Sequence, residues 1–396
     1  MSGRRPHAEI AGAGLAGLAT AAALAQAGWS VRVHEKGEEL REIGAGIYLF
    51  ANALRALQTI GAYDDLAARS EMILNAELRD HRNHLVFEEG PTDGRLMIAL
   101  RRNLHNVLAK VALDAGVEIV TGSRVLSATE DGKLQLEGGW SDRADLVVGT
   151  DGVYSRVRDS LGLAKSIIAL RDGCGRHLVP RTPEDPVNRT IETWSAGRRL
   201  GVAPASPDYV YIFLCCPEAD TEWRRQQPFT PDAWLRSHPW YRSQLERIPR
   251  NPEGRWLNFW DVNCHAWSKG SVALLGDSAH AMSPNLGQGA CVALANAVAL
   301  AEAVKTAKDI PRALQAWERR QRPITERAQR YSEYYGAIGT KWPHARLLLD
   351  ARSVATRLVF LPLLAWRGAV INGRPVSSNG RSRSSEPTDP AQGGVR

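Results

Sequence analysis

The chain has 396 residues, of which 44% are hydrophobic and 23% are charged, and this composition excludes a wholly disordered protein. Its length is typical of two to three domains. Lysine and arginine outnumber aspartate and glutamate by 50 to 43, and the resulting net charge of +7 is spread along the chain rather than gathered in blocks. We therefore expect anionic ligands and no nucleic-acid partner.

The cysteines and the apolar runs narrow the class of protein further. Five scattered cysteines without a C-x-x-C pair argue against a secreted disulfide scaffold and a zinc ribbon, and neither Cys264-His265 nor His280 has the spacing of a metal site, so no metal is expected. The stretch Met1–His7 is too polar for a signal peptide, and Leu358–Trp366 is too short to span a bilayer. We expect a cytoplasmic protein without a membrane partner; core packing, a lid or a weak surface anchor remain open for Leu358–Trp366.

The amino-terminal part of the chain alternates between strands and helices, and it opens with a βαβ unit of fewer than 30 residues. The predicted elements are, in chain order, strand Ala8–Ala11, helix Leu15–Ala27, strand Trp29–Glu35, helices at 52–57 and 102–115, and strands at 117–120 and 145–148.

The sequence pattern changes between about residues 166 and 263. Tryptophan and proline are frequent there, and the alternation of apolar and polar residues predicts strands such as 209–214. A pattern of strand, loop and helix then returns, with a strand at 272–275, a helix at about 289–305 and two more helices up to about Leu349. The fold class predicted is α/β: a Rossmann-like domain with an inserted, mostly antiparallel β-sheet domain and C-terminal helices. The predicted boundaries are 1–75, 97–165 and 264–345 for the first domain, 76–96 and 166–263 for the insertion, 346–373 for a helical segment and 374–396 for a disordered tail.

The motif Gly12-x-Gly14-x-x-Gly17 lies between the first strand and the first helix. In a dinucleotide fingerprint the first glycine permits a tight turn, the second lets the backbone approach a pyrophosphate, and the third allows close helix packing. Glu35 closes the second strand, where it can accept from ribose hydroxyls, which favours FAD or NAD over NADP. A glycine-rich turn in a plain α/β domain is the alternative.

Two later motifs favour FAD over NAD. Gly149-Thr150-Asp151-Gly152-x-x-Ser155-x-x-Arg158 follows a buried strand, and its Asp-Gly turn can rest against the pyrophosphate. Gly276-Asp277-Ser278-Ala279-His280-x-x-x-Pro284-x-x-Gly287-Gln288-Gly289 follows another; Asp277 can accept from a ribityl chain, and the glycines can bring backbone amides to a ring system. A nicotinamide dinucleotide does not need these two extra loops.

With these three motifs, residues 7 to 345 resemble the single-component FAD-dependent aromatic hydroxylases, the p-hydroxybenzoate hydroxylase-like flavoprotein monooxygenases. Within that family the likeness is greatest to oxygenases of 3-hydroxy-2-methylpyridine-5-carboxylate. It is carried by these further stretches: Ala8-Glu9-Ile10-Ala11-Gly12, His34-Glu35-Lys36, Glu39-Leu40-Arg41, Gly44-Ala45-Gly46-Ile47-Tyr48-Leu49, Val179-Pro180-Arg181 and Arg320-Gln321-Arg322-Pro323-Ile324-Thr325.

The resemblance implies which residues hold the cofactor. Glu35, Lys36 and Arg41 would hold the adenosine end, and the backbone of Val125 would border the adenine. Arg101 would contact the ribityl-phosphate stretch. The full implied set is Gly12, Gly14, Ala16, Gly17, Glu35, Lys36, Arg41, Arg101, Val125, Asp151, Asp277, Gly287, Gly289 and Ala290.

The resemblance also implies the reaction. NAD(P)H reduces FAD, O2 adds to the flavin, and the resulting C4a-hydroperoxide transfers oxygen to a small hydroxylated aromatic or N-heteroaromatic carboxylic acid, with or without ring opening. Pro284 would lie near the reactive face of the flavin, Tyr48 beside flavin and substrate, and Tyr211 and Arg199 against the substrate, where an arginine suits a carboxylate. A solvated strand-edge charge is the alternative for Arg199, and a packing role the alternative for Tyr211.

Several questions stay open at this point. A simple ring hydroxylase of the 6-hydroxynicotinate or salicylate type is the near alternative, and a flavin-binding redox sensor without turnover is the alternative from another class. Asn75-Ala76 stands where the pyridine-ring oxygenase places another tyrosine, so the substrates need not be identical. The sequence does not choose between NADH and NADPH, and it allows a homo-oligomer.

Overall fold

The structure is a computed structural model that describes residues 4–40, 44–90, 95–224, 229–250 and 256–341. The strands are β1 His7–Ala11, β2 Ser30–His34, β3 Gly46–Phe50, β4 Glu71–Ile73, β5 Asn75–Arg79, β6 Leu85–Glu89, β7 Leu96–Leu100, β8 Glu118–Val120, β9 Val125–Ala128, β10 Leu134–Leu136, β11 Gly139–Trp140, β12 Leu146–Gly149, β13 Ala164–Pro180, β14 Arg189–Ser195, β15 Arg198–Pro204, β16 Tyr209–Pro217, β17 Leu257–Cys264, β18 Ser268–Lys269 and β19 Val272–Leu274. The helices are α1 Leu15–Gln26, α2 Ala51–Thr59, α3 Tyr63–Ala67, α4 Arg101–Asp114, α5 Arg156–Ser160, α6 Thr221–Arg224, α7 Asp232–Ser237, α8 Arg242–Glu246, α9 Asp277–His280, α10 Gly289–Val304 and α11 Ile310–Lys341, with 3-10 turns at Pro239–Tyr241 and Pro284–Leu286.

A six-stranded sheet in the order β18-β19-β12-β1-β2-β8 forms the first layer, and every pairing in it is parallel except β18 with β19. Ala11 at the end of β1 pairs with His34 on one side and with Gly149 on the other. The loops that follow these three strands therefore leave the same edge of the sheet. Ligands of open parallel sheets bind at such an edge.

Helix α1 is rich in alanine, and residues on all its sides are buried. Small side chains let it pack closely between the sheet, α4 and α10. The structure thus confirms the predicted βαβ unit.

A seven-stranded sheet in the order β17-β13-β16-β15-β14-β5-β6 forms the second body of strands. Its pairings are antiparallel except for β14 with β5. Two three-stranded sheets, β3-β7-β4 and β11-β10-β9, complete the β-structure of the described residues. The predicted fold class is confirmed, whereas the domain boundaries stay a prediction.

The two helices expected between α10 and Leu349 are a single helix as far as the structure describes them. Helix α11 runs from Ile310 to Lys341 and continues through Pro323. Arg322 bridges this point, because its side chain pairs with Glu318 at 2.9 Å and with Glu326 at 2.6 Å. These contacts on both sides of the proline offset the backbone hydrogen bond that proline cannot make.

None of the helices in the described ranges is long and apolar enough to cross a membrane. The predictions for Leu358–Trp366, for residues 346–373 and for the tail 374–396 lie outside the described residues.

Candidate active site

The glycine fingerprint forms the turn between β1 and α1. Gly12 has a φ of +98°, and a Cβ there would lie 2.7 Å from the carbonyl oxygen of Thr150. A Cβ at Gly17 would lie only 2.0 Å from the Gly12 oxygen, whereas a Cβ at Gly14 would have no protein atom within 4 Å. Two of the glycines are thus needed for packing, and the third faces open space at the amino end of α1, where backbone amides favour an anion.

Glu35 lies beside this loop. Its carboxylate accepts hydrogen bonds from the backbone nitrogens of Ala13 and Gly37, both at 2.9 Å. Its own carbonyl accepts from the Ser123 nitrogen at 2.8 Å. Carboxylate oxygens have further lone pairs, so Glu35 can still accept from ribose hydroxyls. Lys36, the next residue, is exposed.

The other residues expected at the adenosine and ribityl-phosphate stretches lie close to the same edge. Val125 begins β9 two positions after Ser123 and is buried. Arg101 begins α4, and its side chain lies so close to Gly44 that a Cβ there would be 2.6 Å from the Arg101 Cδ. Arg41 lies outside the described residues.

The second motif, Gly149 to Arg158, places the backbone of its Asp151-Gly152 turn against the glycine fingerprint, while the Asp151 carboxylate is engaged elsewhere. A Cβ at Gly12 would lie 3.2 Å from the Asp151 Cα. The Asp151 carboxylate, however, accepts from the Ser155 hydroxyl at 2.5 Å and from the Arg156 nitrogen at 2.7 Å, and so it caps α5. A cofactor contact at Asp151 is therefore to be expected from its backbone.

The third motif joins the other two. A Cβ at Gly276 would lie 2.8 Å from the Ala16 Cβ, which brings the exposed Asp277 at the start of α9 next to the fingerprint helix. The Ser278 hydroxyl donates to the last carbonyl of β12 at 2.6 Å. Arg158, fully buried, donates to the Ser278 carbonyl at 3.2 Å. Three stretches far apart in sequence thus converge at one end of the parallel sheet.

The loop before α10 lies on β3 and borders a second space. The turn Pro284–Leu286 leads into Gly287, whose φ is +66°. Gln288 is 1% exposed, and its Nε2 has no hydrogen-bond partner among the described residues. Gly289 and the half-buried Ala290 begin α10, and a Cβ at Gly289 would meet only one atom, at 3.9 Å.

These features fit FAD. The open space at Gly14 suits a pyrophosphate at a helix amino end, and Glu35 suits a ribose. The buried Gln288 Nε2, which has no acceptor among the described residues, and the bare backbone at Gly289 suit the polar edge of a flavin ring, because a buried donor is costly unless a ligand accepts from it.

A cavity of about 90 Å³ lies between the seven-stranded sheet, β3 and the Pro284 loop. Tyr48, Arg199, Tyr211 and Pro284, the four residues expected at the reaction site, all line it. The neighbouring Arg198 does not line this cavity and instead forms an ion pair with Asp220 at 2.5 Å. The structure thus brings all four residues together; whether they act in the reaction stays a prediction.

The two tyrosines are held differently. The Tyr48 hydroxyl lies 2.5 Å from the Thr190 hydroxyl, and its ring lies 6.4 Å from that of Tyr211, edge to face. The Tyr211 ring packs on Gly46, where a Cβ would be 2.4 Å away. Burial raises the pKa of Tyr211, so its phenol stays neutral and can donate a hydrogen bond.

Arg199 is buried and has protein partners. Its Nη2 donates to the Asn285 side-chain oxygen, and its Nη1 lies 3.6 Å from the Glu192 carboxylate. Glu192 also accepts from the Trp194 indole at 2.7 Å and from the Tyr335 hydroxyl at 3.3 Å. The Arg199 Nε alone has no acceptor among the described residues. The charge of Arg199 is thus balanced by Glu192.

Arg176 also lines the cavity and is among the cavity residues that were not predicted from the sequence. It lies on β13, directly opposite Phe213 of β16. No carboxylate of the described residues lies within ion-pairing distance of Arg176, and the other cavity acid, Glu77, pairs with Arg79 at 2.6 Å and Arg189 at 3.1 Å. Since an arginine stays charged, the cavity has one positive charge that no nearby acid balances.

Comparison with known proteins agrees with this geometry. The family described as FAD binding domain matches residues 7–332. A 2-heptyl-3-hydroxy-4(1H)-quinolone synthase of Mycobacteroides abscessus is 38% identical over 343 residues, which is 84% of this chain and 91% of that protein. A 6-hydroxynicotinate 3-monooxygenase of Bordetella bronchiseptica is 28% identical, over 75% and 82% of the two chains.

Among solved structures, the tetrameric form of 2-methyl-3-hydroxypyridine-5-carboxylic acid oxygenase superposes with a TM-score of 0.81. It is 34% identical, and the match covers 95% of this chain and 99% of that one. The resemblance inferred from the motifs is therefore confirmed. The chain belongs to the FAD-binding family of NAD(P)H-dependent flavoprotein monooxygenases that act on aromatic and heteroaromatic substrates.

Proposed function

We propose that this monooxygenase acts on a small hydroxylated N-heteroaromatic carboxylic acid of the hydroxypyridine type. The observation that carries the proposal is the unbalanced charge of Arg176 in the cavity. Arg176 is half-buried, and a partly desolvated cation without an acidic partner is costly, so an anionic ligand oxygen would reduce that cost. The relative that acts on a hydroxypyridine carboxylate supports the same substrate class.

Arg176 and the Nε of Arg199 would bind the substrate's anionic oxygens, and these two groups lie on one wall of the cavity. Tyr211, held neutral by burial, would donate a hydrogen bond to a ring substituent. Tyr48 would hold the ring in place, itself fixed by Thr190.

Bound FAD, reduced by NAD(P)H, supplies the activated oxygen in this family. The protein's part is to hold an electron-rich ring beside Pro284 and to keep water away. Two arginines also favour the ionised form of a substrate hydroxyl, because nearby positive charge lowers the pKa of a phenol, and an ionised ring is the better nucleophile.

A substrate panel tests this function. The holoenzyme is given 2-methyl-3-hydroxypyridine-5-carboxylate, 6-hydroxynicotinate, salicylate and the decarboxylated counterpart of each, and NADH and NADPH consumption are followed. We expect the acids to accelerate consumption far more than their counterparts. Loss of aromatic absorbance would show ring opening, and its retention would show simple hydroxylation. Failure of every aromatic acid to stimulate consumption would overturn the proposal, and failure of the quinolone considered below as well would favour a flavin-binding redox sensor.

Arg176→Gln tests the residue itself. Losing a charge-assisted hydrogen bond costs about 1.5–3 kcal/mol, so KM for the carboxylated substrate should rise roughly ten- to a hundredfold while FAD content is unchanged. Arg176→Lys keeps the charge and should recover part of the loss. An unchanged KM in Arg176→Gln would place substrate binding elsewhere.

A second candidate substrate is a 2-alkyl-4(1H)-quinolone hydroxylated at its 3-position, because a 38% identical relative is a synthase of such a product. Apolar side chains in the same cavity would suit an alkyl chain: Phe50, Leu78, Phe87, Phe213 and Leu286. Including 2-heptyl-4(1H)-quinolone in the panel distinguishes the two, since Arg176→Gln should hardly change the KM of a neutral quinolone.

We also propose that the chain forms a homo-oligomer, since the hydroxypyridine carboxylate oxygenase was solved in a tetrameric form. Light scattering of the purified holoenzyme tests this, and the mass of a single chain would contradict it.

A further inference from the structure

Two cysteines lie side by side in the wall of the cavity. Cys174 on β13 pairs directly with Cys215 on β16, and directly paired residues of antiparallel strands point to the same face of the sheet. Both line the cavity, they are 2% and 5% exposed, and both are free thiols. Cys216, the next residue, packs in a separate apolar cluster on the other face.

The charges around the pair make its two thiols unequal. Burial by itself would raise the pKa of Cys174, but the neighbouring Cys215 thiol and the charges of Arg176 and Arg199 outweigh it and lower that pKa. Burial raises the pKa of Cys215. A thiolate is the reactive form of cysteine, and positive neighbours favour it, so we expect Cys174 to react first and Cys215 to react second.

We propose that Cys174 and Cys215 are a peroxide-sensitive thiol pair, which hydrogen peroxide converts into a disulfide that reduces turnover. Hydrogen peroxide forms whenever O2 takes two electrons and is not consumed by substrate, and the cavity that holds this pair is also bordered by the Pro284 loop. The effect on turnover rests on the proposed function of this cavity, but the formation of the disulfide does not.

The chemistry balances with peroxide as the only oxidant. The Cys174 thiolate attacks one peroxide oxygen, so that an S–O bond forms, the O–O bond breaks and hydroxide leaves to be protonated. The Cys215 sulfur then attacks the Cys174 sulfur, an S–S bond forms, and the second oxygen leaves as water. Two thiols are oxidised by two electrons, and one peroxide is reduced to two waters.

The disulfide would move the cavity wall. The two free thiols must approach until their sulfurs are about 2.05 Å apart to form the covalent bond. Arg176 lies two residues from Cys174 on the same face of β13, and Phe213 lies two residues from Cys215 on β16. We expect the shift to weaken substrate binding several-fold, and reduction to restore it.

Intact mass and peptide mapping test the pair on the holoenzyme without any substrate. After peroxide treatment and alkylation of the remaining thiols, we expect three of the five cysteines to be alkylated, a Cys174–Cys215 peptide, and the loss of two hydrogen masses. Dithiothreitol should reverse all three. Absence of this peptide at peroxide concentrations that leave FAD bound would overturn the proposal.

Cys215→Ala and Cys216→Ala form the matched comparison. The first variant should lose the cross-link and accumulate oxygen adducts on Cys174 instead, and the second should cross-link as the parent does. Loss of the cross-link in Cys216→Ala would point to a different pair. A cross-linked enzyme that turns over at the full rate would refute the effect on activity, whereas failure of the substrate panel would leave the mass result intact.

Discussion

Gly14 and Gly17 lie three residues apart in one turn, yet a methyl group would meet different surroundings at each. At Gly17 it would lie 2.0 Å from a backbone oxygen, and at Gly14 it would meet no protein atom within 4 Å. We therefore expect Gly17→Ala to lower the free energy of unfolding of the FAD-free protein by about 1–3 kcal/mol, as overpacking does. Chemical denaturation measures this change.

Gly14→Ala is the contrasting variant. Its methyl group would occupy the space assigned to the pyrophosphate, so FAD affinity should fall while the stability of the FAD-free protein stays the same. Flavin fluorescence titration measures that affinity. Full flavin binding by Gly14→Ala would contradict the placement of the pyrophosphate.

Helix α11 reaches the cavity through Tyr335, which lines it, and through a close approach of Gly336 to Asn285. A Cβ at Gly336 would lie 2.0 Å from the side-chain nitrogen of Asn285, whose oxygen accepts from Arg199. Gly336→Ala should therefore displace Asn285 and free Arg199 to move. We expect KM for the substrate to rise about tenfold, the scale of one hydrogen bond to a charged group, with FAD content unchanged.

Glu333→Ala, at an exposed position of the same helix, is the control and should leave KM unchanged. Alanine is also a better helix former than glycine by about 1 kcal/mol, which offsets part of the overpacking cost of about 1–3 kcal/mol in Gly336→Ala. A variant that loses stability but keeps its KM would show that the contact only supports packing.

The elements differ in how far the sequence predicts them. The βαβ unit is predictable because its turn, helix and strand obey local rules of glycine placement and periodicity. The sequence does not, however, predict which side chains lie on which face of β13. Its pairing with β17 shifts register twice, between Ala164 and Ser166 and between Ala169 and Gly173, and each shift disturbs the alternation of side chains. Arg176 and Cys174 lie beyond both shifts, so the sequence could not show that they face the cavity.

For the whole fold, acidification from pH 6.5 to pH 4 should lower the free energy of unfolding mainly through buried histidines. Burial lowers the pKa of His177, His238 and His280 to about 4, whereas in an unfolded chain each takes up a proton near pH 6.5. Between these values the unfolded state binds more protons, so stability falls as pH falls. Each histidine contributes a slope of about 1.4 kcal/mol per pH unit in that window.

Two variants of His177 distinguish the effect of its titration on stability from the cost of burying its polar ring. Both of its ring nitrogens lack hydrogen-bond partners among the described residues, and it packs 5.6 Å from the Phe229 ring. His177→Leu should therefore raise the free energy of unfolding by about 1–3 kcal/mol at pH 8 and reduce its pH slope between 4 and 6.5 by one histidine's share. His177→Asn should reduce the slope equally without the gain at pH 8, because a buried polar group remains. Denaturation of the three holoenzymes between pH 4 and 8 gives both quantities, and an unchanged slope in both variants would show that His177 does not titrate differently on unfolding.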